Sequence, residues 1–178
     1  QVWVNPDVTL VMNDRAVGVN YVDGDLRINP GEVRFNDLVL SLSGTGSDVS
    51  DGTVTVNGRY SGKDAIQPLT LVVNWRDGRL GSPLIPELLH LLGTEEHVAE
   101  YRRHNPRGEF DATLRYGSDS GEADTLYELN IQPRVVAANV DGRRISTQLN
   151  DGSQVIFSSG RISLKDVSGQ MAGGTFSV

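Results

Sequence analysis

Three histidines, His90, His97 and His104, recur every seven residues, a spacing that suggests metal chemistry. Imidazole nitrogens hold zinc at about 2 Å. Seven residues along one helix rise about 10.5 Å, so neighbouring histidines cannot share an ion unless the chain folds back on itself. Gly93-Thr94 interrupts this stretch, and a fold-back would bring two of the histidines near Glu96 or Glu100. Solvated histidines on a helix face are the simpler reading, and no metal is expected. The acidic stretches Ser47-Asp48-Val49-Ser50-Asp51-Gly52 and Ser118-Asp119-Ser120-Gly121-Glu122-Ala123-Asp124 carry oxygen ligands suited to calcium. Neither has the alternating Asp/Asn positions and distal Glu of an EF-hand loop, nor a glycine-rich calcium repeat, so both read as solubilising turns. Gly44-Thr45-Gly46 lacks the further glycine and the helix of a dinucleotide fingerprint. Neighbouring carboxylates such as Asp23 and Asp25 do not by themselves define a cleft, and there is neither a Gly-x-Ser-x-Gly elbow nor a His-Glu-x-x-His helix. With no cysteine, a thiolate nucleophile, a disulfide and a Cys-ligated zinc are all excluded. The expectation is a protein without enzymatic activity or cofactor.

The elements that would position any site are strands. Apolar residues fall on every second position in Leu26/Ile28, Val33/Phe35, Leu38/Leu40/Leu42, Val54/Val56, Leu69/Leu71/Val73/Trp75, Phe110/Ala112/Leu114/Tyr116, Leu129/Ile131, Val155/Phe157 and Ile162/Leu164. This period places one apolar face on each strand. Asp23-Gly24, Asn29-Pro30-Gly31, Asp51-Gly52, Asn57-Gly58, Asp77-Gly78, Asp141-Gly142 and Asn150-Asp151-Gly152 separate or flank these runs and suit hairpin turns that need positive φ. The expected fold is mainly β, an antiparallel meander forming a curved sheet or open groove, because strands of a parallel sheet would be apolar on both sides. From Ser82 to His104 the spacing becomes helical, with Leu84, Ile85, Leu88, Leu89 and Leu92 on one stripe. Gly93 suits a C-cap, and Thr94 before Glu95 and Glu96 suits an N-cap with an acidic first turn. Two short helices are therefore expected around residues 83–104, stopped by Asn105-Pro106, their stripe plugging the apolar sheet face.

The chain has 178 residues, a net charge of −7 and 38% hydrophobic residues, with a mean hydropathy of −0.28. That charge disfavours nucleic acid and anionic bilayer surfaces as partners. No apolar run reaches the roughly 18 residues of a membrane-spanning helix. Gln1 opens the chain without a signal-type segment, which reads as a portion of a longer polypeptide. A degenerate repeat links Val22-Asp23-Gly24 with Val140-Asp141-Gly142, Gly31 to Leu38 with Gly160 to Val167, and Gly52 to Val56 with Gly174 to Val178. The expected organisation is a single β-rich segment holding two repeats, about 20–80 and 107–178, separated by a helical insertion at 82–106.

Gly31-Glu-Val-Arg-Phe-Asn-Asp-Leu38, Asp51-Gly-Thr-Val-Thr-Val-Asn-Gly58 and Gly160-Arg-Ile-Ser-Leu-Lys-Asp-Val-Ser-Gly-Gln-Met-Ala-Gly-Gly-Thr-Phe-Ser-Val178 together resemble the repeats of AsmA/TamB-like proteins. The resemblance covers about half the chain and departs from the strand pattern at residues 82–106. It implies a segment of a membrane-anchored protein of the periplasm or cell envelope, whose apolar β-groove carries phospholipid or another acyl-chain lipid between membranes, with further repeats of the parent polypeptide as neighbours. The candidate groove residues are Leu40, Val56, Leu69, Leu71, Val73, Trp75, Phe110, Leu114, Phe157 and Leu164. Leu84, Ile85, Leu88, Leu89 and Leu92 are the candidate helix plug. A structural or adhesive β-repeat of a surface or fibre protein is the alternative, and it differs in closing its apolar face with a second sheet. A jelly-roll carbohydrate enzyme or lectin would need two converging carboxylates or an aromatic platform.

Overall fold

The computed structural model describes residues 7–12, 15–43, 50–61, 69–82, 84–86, 95–117, 127–158, 161–171 and 173–178. They form one antiparallel, open sheet that does not close into a barrel. Its strands are β1 (Asp7–Met12), β2 (Arg15–Asn29), β3 (Glu32–Ser43), β4 (Ser50–Tyr60), β5 (Leu69–Arg79), β6 (Arg107–Tyr116), β7 (Tyr127–Val140), β8 (Arg143–Leu149), β9 (Gln154–Ser158), β10 (Arg161–Lys165), β11 (Ser168–Met171) and β12 (Gly174–Ser177). The strands from β1 to β8 neighbour one another in chain order, as a meander requires. Beyond β7 the sheet forks. β8 pairs with Val135–Val140 of β7, while β9 pairs with Glu128–Ile131 on the same side of that strand. β11 continues from β8, with β12 outside it, and β10 continues from β9.

The expected mainly β, antiparallel architecture is present, and so is helix on both sides of Gly93: residues 84–86 are helical, and α1 spans Glu95–His104. Glu95 and Glu96 lie in the first turn of α1, and Arg102, Arg103 and His104 in its last, each complementing the helix dipole. Asn105 ends α1 at φ 42°, its N–H donating to the Tyr101 carbonyl at 2.9 Å, and Pro106 follows. The helix thus stops where the Asn-Pro pair implies.

Most of the Asp-Gly and Asn-Gly pairs read as hairpin turns do not reverse the chain. Asp23-Gly24 lies within β2, Asp51-Gly52 and Asn57-Gly58 within β4, and Asp77-Gly78 within β5. Asn150-Asp151-Gly152 joins β8 to β9, both antiparallel to β7 and in line along it, so the chain loops out and rejoins the same line without turning back. Pro30-Gly31 and Asp141-Gly142 are turns as expected. All four internal pairs lie at bulges, where one strand passes its neighbour by an extra residue; at Asp51-Gly52 the β3–β4 register slips between Ser41 and Ser43. The β3–β4 register slips between Phe35 and Leu38, with Asp37 at φ 47°. The β5–β6 register slips between Trp75 and Gly78, with Asp77 at φ 55°. The β2–β3 register slips on both sides of Asp23. Asp166, which matches Asp37 in the repeat, has φ 52° at the junction of β10 and β11.

Side-chain oxygens hold these kinks. The Asp37 N–H donates to Asn57 Oδ1 at 2.8 Å, and Asn57 Nδ2 donates to Asp37 Oδ1 at 3.0 Å. The Asp77 N–H donates to Asp111 Oδ1 at 2.9 Å. Ser153, in the β8–β9 connection, is 1% exposed, and its Oγ lies 3.3 Å from the carbonyls of both Asp166 and Ser168. All but the Asn57 Nδ2–Asp37 Oδ1 bond, which joins two side chains, satisfy a backbone group at the interrupted ladder.

The Asp37 bulge also requires a glycine beside it. Gly24 has φ 105°, and a Cβ there would sit 2.2 Å from the Asp37 carbonyl oxygen, an immovable backbone atom. Gly142, at φ 76° in an open turn, has nothing within 4 Å of such an atom. In urea unfolding, Gly142→Ala is expected to cost about 1 kcal/mol from backbone strain alone, and Gly24→Ala about 3 kcal/mol or more from strain plus collision.

Candidate functional site

Residues paired across an antiparallel ladder project to the same face, so the registers assign every strand's apolar side without ambiguity. Leu40, Val54, Trp75, Ala112, Ile131, Val155 and Leu164 form one transverse row across β3, β4, β5, β6, β7, β9 and β10. Leu38, Val56, Val73, Leu114, Leu129, Phe157 and Ile162 form the next. Phe35, Gly58, Leu71, Tyr116 and Tyr127 make a third row, and Val33, Tyr60 and Leu69 a shorter fourth. Phe110 sits on the same face, opposite Gly78 and Pro133. All ten candidate groove residues therefore share one face. At strand spacings of about 4.8 Å, each seven-strand row runs roughly 29 Å across the sheet.

Several members of these rows were absent from the candidate set. Tyr127 and Pro133 extend the visible Leu129/Ile131 alternation at both ends, and Tyr60 continues Val54/Val56 beyond Gly58. The same period could have found them. Pro133 looks unsuited to a central strand because it has no N–H. On one side it stands beside the Glu109/Phe110 bulge, and on the other it lies between the stretches of β7 paired to β8 and to β9, where the ladder is interrupted.

Coverage of the face is uneven. Leu84 is 2% exposed and packs against Leu40 and Leu42. The Ser82 hydroxyl accepts the Leu84 N–H at 3.0 Å, and Ile85 is half-buried beside it. Leu88, Leu89 and Leu92 lie outside the described residues. Next to the Leu84 corner, Trp75 and Phe110 meet edge to face at 5.0 Å, and Trp75 Nε1 donates to the Asp51 carbonyl at 2.8 Å. Phe110 is 4% exposed there. At the far side of the same face, Ile162 is 67% and Leu164 54% exposed, while Val56, Val73, Leu114, Leu129 and Phe157 between them are half-buried. Among the described residues no second sheet covers these rows.

The helix α1 is tied down separately. Val98 is 1% exposed, and the Tyr101 hydroxyl donates to the Leu80 carbonyl. Burial raises the Tyr101 pKa above the ordinary phenol value, with Arg107 opposing the shift. His104 Nδ1 lies 2.8 Å from the Asn139 carbonyl and its Nε2 3.2 Å from Glu100, while Arg144 donates to the Asn105 carbonyl at 3.0 Å. His104 is thus engaged in docking α1 on the β7–β8 end. His90 and the His97 side chain lie outside the described residues, and among those described no group of three His, Asp or Glu side chains is placed to hold a metal.

The opposite face is polar. Thr113 donates to Asn74 at 3.0 Å, and Asn130 Nδ2 to Gln154 at 3.2 Å. Arg134 donates to Asp77 Oδ1 at 2.9 Å and lies 3.6 Å from Asp111 and 3.8 Å from Glu109. The Asp77 hydrogen bond is the largest cause of a raised Arg134 pKa, which burial partly opposes. These groups hold the β5 and β7 irregularities in register. No nucleophile with an adjacent base lies among them.

Leu84→Ala is expected to lower unfolding free energy by about 2–5 kcal/mol, because the cavity opens between two fixed strand side chains; a thermal melt superimposable on wild type would show that the insertion does not cover the sheet. Arg134→Met leaves Asp77, Glu109 and Asp111 facing one another. Its cost is expected to be only about 1 kcal/mol, since the cluster is partly solvated, and to shrink in about 1 M salt, as denaturant titrations at two ionic strengths would read.

No family model, curated protein or solved structure matches this chain.

Proposed function

We propose that the apolar face is a binding surface for phospholipid acyl chains, and that the chain is a segment of an envelope protein of the AsmA/TamB-like kind acting in lipid transfer on the periplasmic side. The observation that carries this reading is the pair of seven-strand apolar rows, half-buried to exposed beyond the Leu84 corner. A soluble protein rarely leaves so broad an apolar surface without an occupant.

Energetics favour a two-chain lipid. Burying a CH₂ gains about 0.8 kcal/mol, so ten of them gain about 8 kcal/mol. Association alone costs about 4–15 kcal/mol. A single short chain roughly breaks even, whereas two longer chains leave a surplus. The attraction is non-directional, so head-group selectivity is expected to be weak. Tyr60, Tyr116 and Tyr127, in the third and fourth rows that flank the two long rows on one side, have the amphipathic character suited to the boundary between acyl chain and water.

Organic extraction of the purified protein, with native mass spectrometry, is expected to yield phospholipid. Leu114→Asp at the middle of the second row and Ile162→Asp at its exposed end should each abolish that yield, because an unpaired carboxylate opposes hydrocarbon. Ile162 is exposed enough that its substitution leaves folding intact, which separates lost binding from lost structure. Lipid absent from wild type, or retained in both variants, would replace this reading with the structural or adhesive β-repeat.

A further inference from the structure

We infer that the open part of the apolar face runs obliquely across the sheet, so that an acyl chain follows the first and second rows at β10 and the third and fourth rows at β2, with Leu84 as the side chain that sets the slant. Because this path presupposes acyl chains on the apolar face, it rests on the lipid reading above and adds where on that face they lie.

Two gradients of exposure cross on this surface. One runs along the rows, from the Leu84 corner to Ile162 and Leu164. The other runs between the rows. On β4 and β5 the first row is the most closed: Val54 is 7% exposed, and Trp75, paired with it, is packed edge to face on Phe110. In the third and fourth rows Tyr60, Tyr116 and Tyr127 are exposed. Both of these rows continue onto β2, the third as Leu26 opposite Phe35 and the fourth as Ile28 opposite Val33, and Ile28 is 58% exposed. Leu26 and Ile28 therefore extend the apolar face beyond the candidate set.

The two ends of the face offer different rows. Among the described residues β9 and β10 contribute to the first and second rows only. At β3 the first row is closed, since Leu84 lies on Leu40 and Leu42. An acyl chain that kept to the first row from Leu164 would have to displace the buried Leu84 side chain there. One that moves over by two rows, about 14 Å along the strands, displaces nothing. Leu114, Leu71 and Phe35 keep apolar side chains beneath it on the way. Hydrophobic attraction has no direction of its own, so the acyl chain takes the route on which apolar area is still in contact with water.

The test uses the full chain and a phosphatidylcholine that carries a diazirine in one acyl chain, with adducts mapped by tandem mass spectrometry after irradiation. Adducts are expected on β10 at Ile162 or Leu164 and on β2 at Leu26 or Ile28, and at least tenfold fewer at Leu40 and Leu42. Ile28→Asp, at an exposed position that leaves folding intact, should remove the β2 adducts and keep those on β10. In Leu84→Ala, labelling of Leu40 should rise at least tenfold, with the β10 adducts reporting that the sheet still stands; should that variant not fold, wild type and Ile28→Asp decide. Leu40 labelled as strongly as Ile28 in wild type, β10 labelled without β2, or a folded Leu84→Ala with Leu40 still unlabelled would overturn the slanted path and leave the lipid reading in place. Absence of labelling on every strand would overturn the lipid reading, and the path with it.

Discussion

Inserting one residue into a β-strand turns every later side chain to the other face, and this constraint governs how the long strands of this sheet are built. β2, β3, β5 and β7 span 11 to 15 residues, well beyond the usual five or six. Each of them has a register shift along its length. In β3 the apolar residues run Val33 and Phe35 before the bulge and Leu38 and Leu40 after it, a change of parity that the extra residue at Asp37 absorbs. In β10 and β11 the same change separates Ile162 and Leu164 from Gly169 and Met171, with Asp166 at the junction. Without these bulges, half of each strand would present its apolar residues to the polar side. Asp37, Asp77 and Asp166 at positive φ, the glycine beside Asp37 and the Asn57 and Asp111 caps all serve that one requirement.

A sheet kept to one apolar face needs something to lie on it. The helical insertion supplies this at one corner, where Leu84 meets Leu40 and Leu42 and where Trp75 and Phe110 are most tightly packed. Exposure grows toward β10. Burial is thus divided over one surface: the corner is a core, and toward β10 the same apolar side chains stay in contact with water.

The polar face works differently. Arg134 joins carboxylates from β5 and β6 while standing on β7, and the Asn74–Thr113 and Asn130–Gln154 bonds link neighbouring strands. Such contacts add little energy each because solvent competes for them. Their value is in register, since they fix which residue opposes which where the backbone ladder is irregular. The docking of α1 through Tyr101, His104 and Arg144 likewise uses polar groups to fix a position that Val98 stabilises by burial.

The period-two placement of Leu69, Leu71, Val73 and Trp75, or of Phe110, Ala112, Leu114 and Tyr116, determined by itself that these are strands with one apolar side, and Asn105-Pro106 determined where α1 stops. Those features are local: each depends on the geometry of a few consecutive residues. Whether Asp23-Gly24, Asn57-Gly58 or Asp77-Gly78 reverses the chain or only kinks it was decided by the tertiary structure. A pair in which either the aspartate, as at Asp77, or the glycine, as at Gly24, takes positive φ satisfies a turn and a bulge equally well, and the choice rests on which neighbouring strand takes up the flanking hydrogen bonds. The same holds for the uncovered part of the apolar face. Alternation gives each strand its two sides, but only the assembled sheet shows that the insertion reaches Leu40 and Leu42 and leaves Ile162 and Leu164 exposed, because coverage is set by the position of residues distant in the chain.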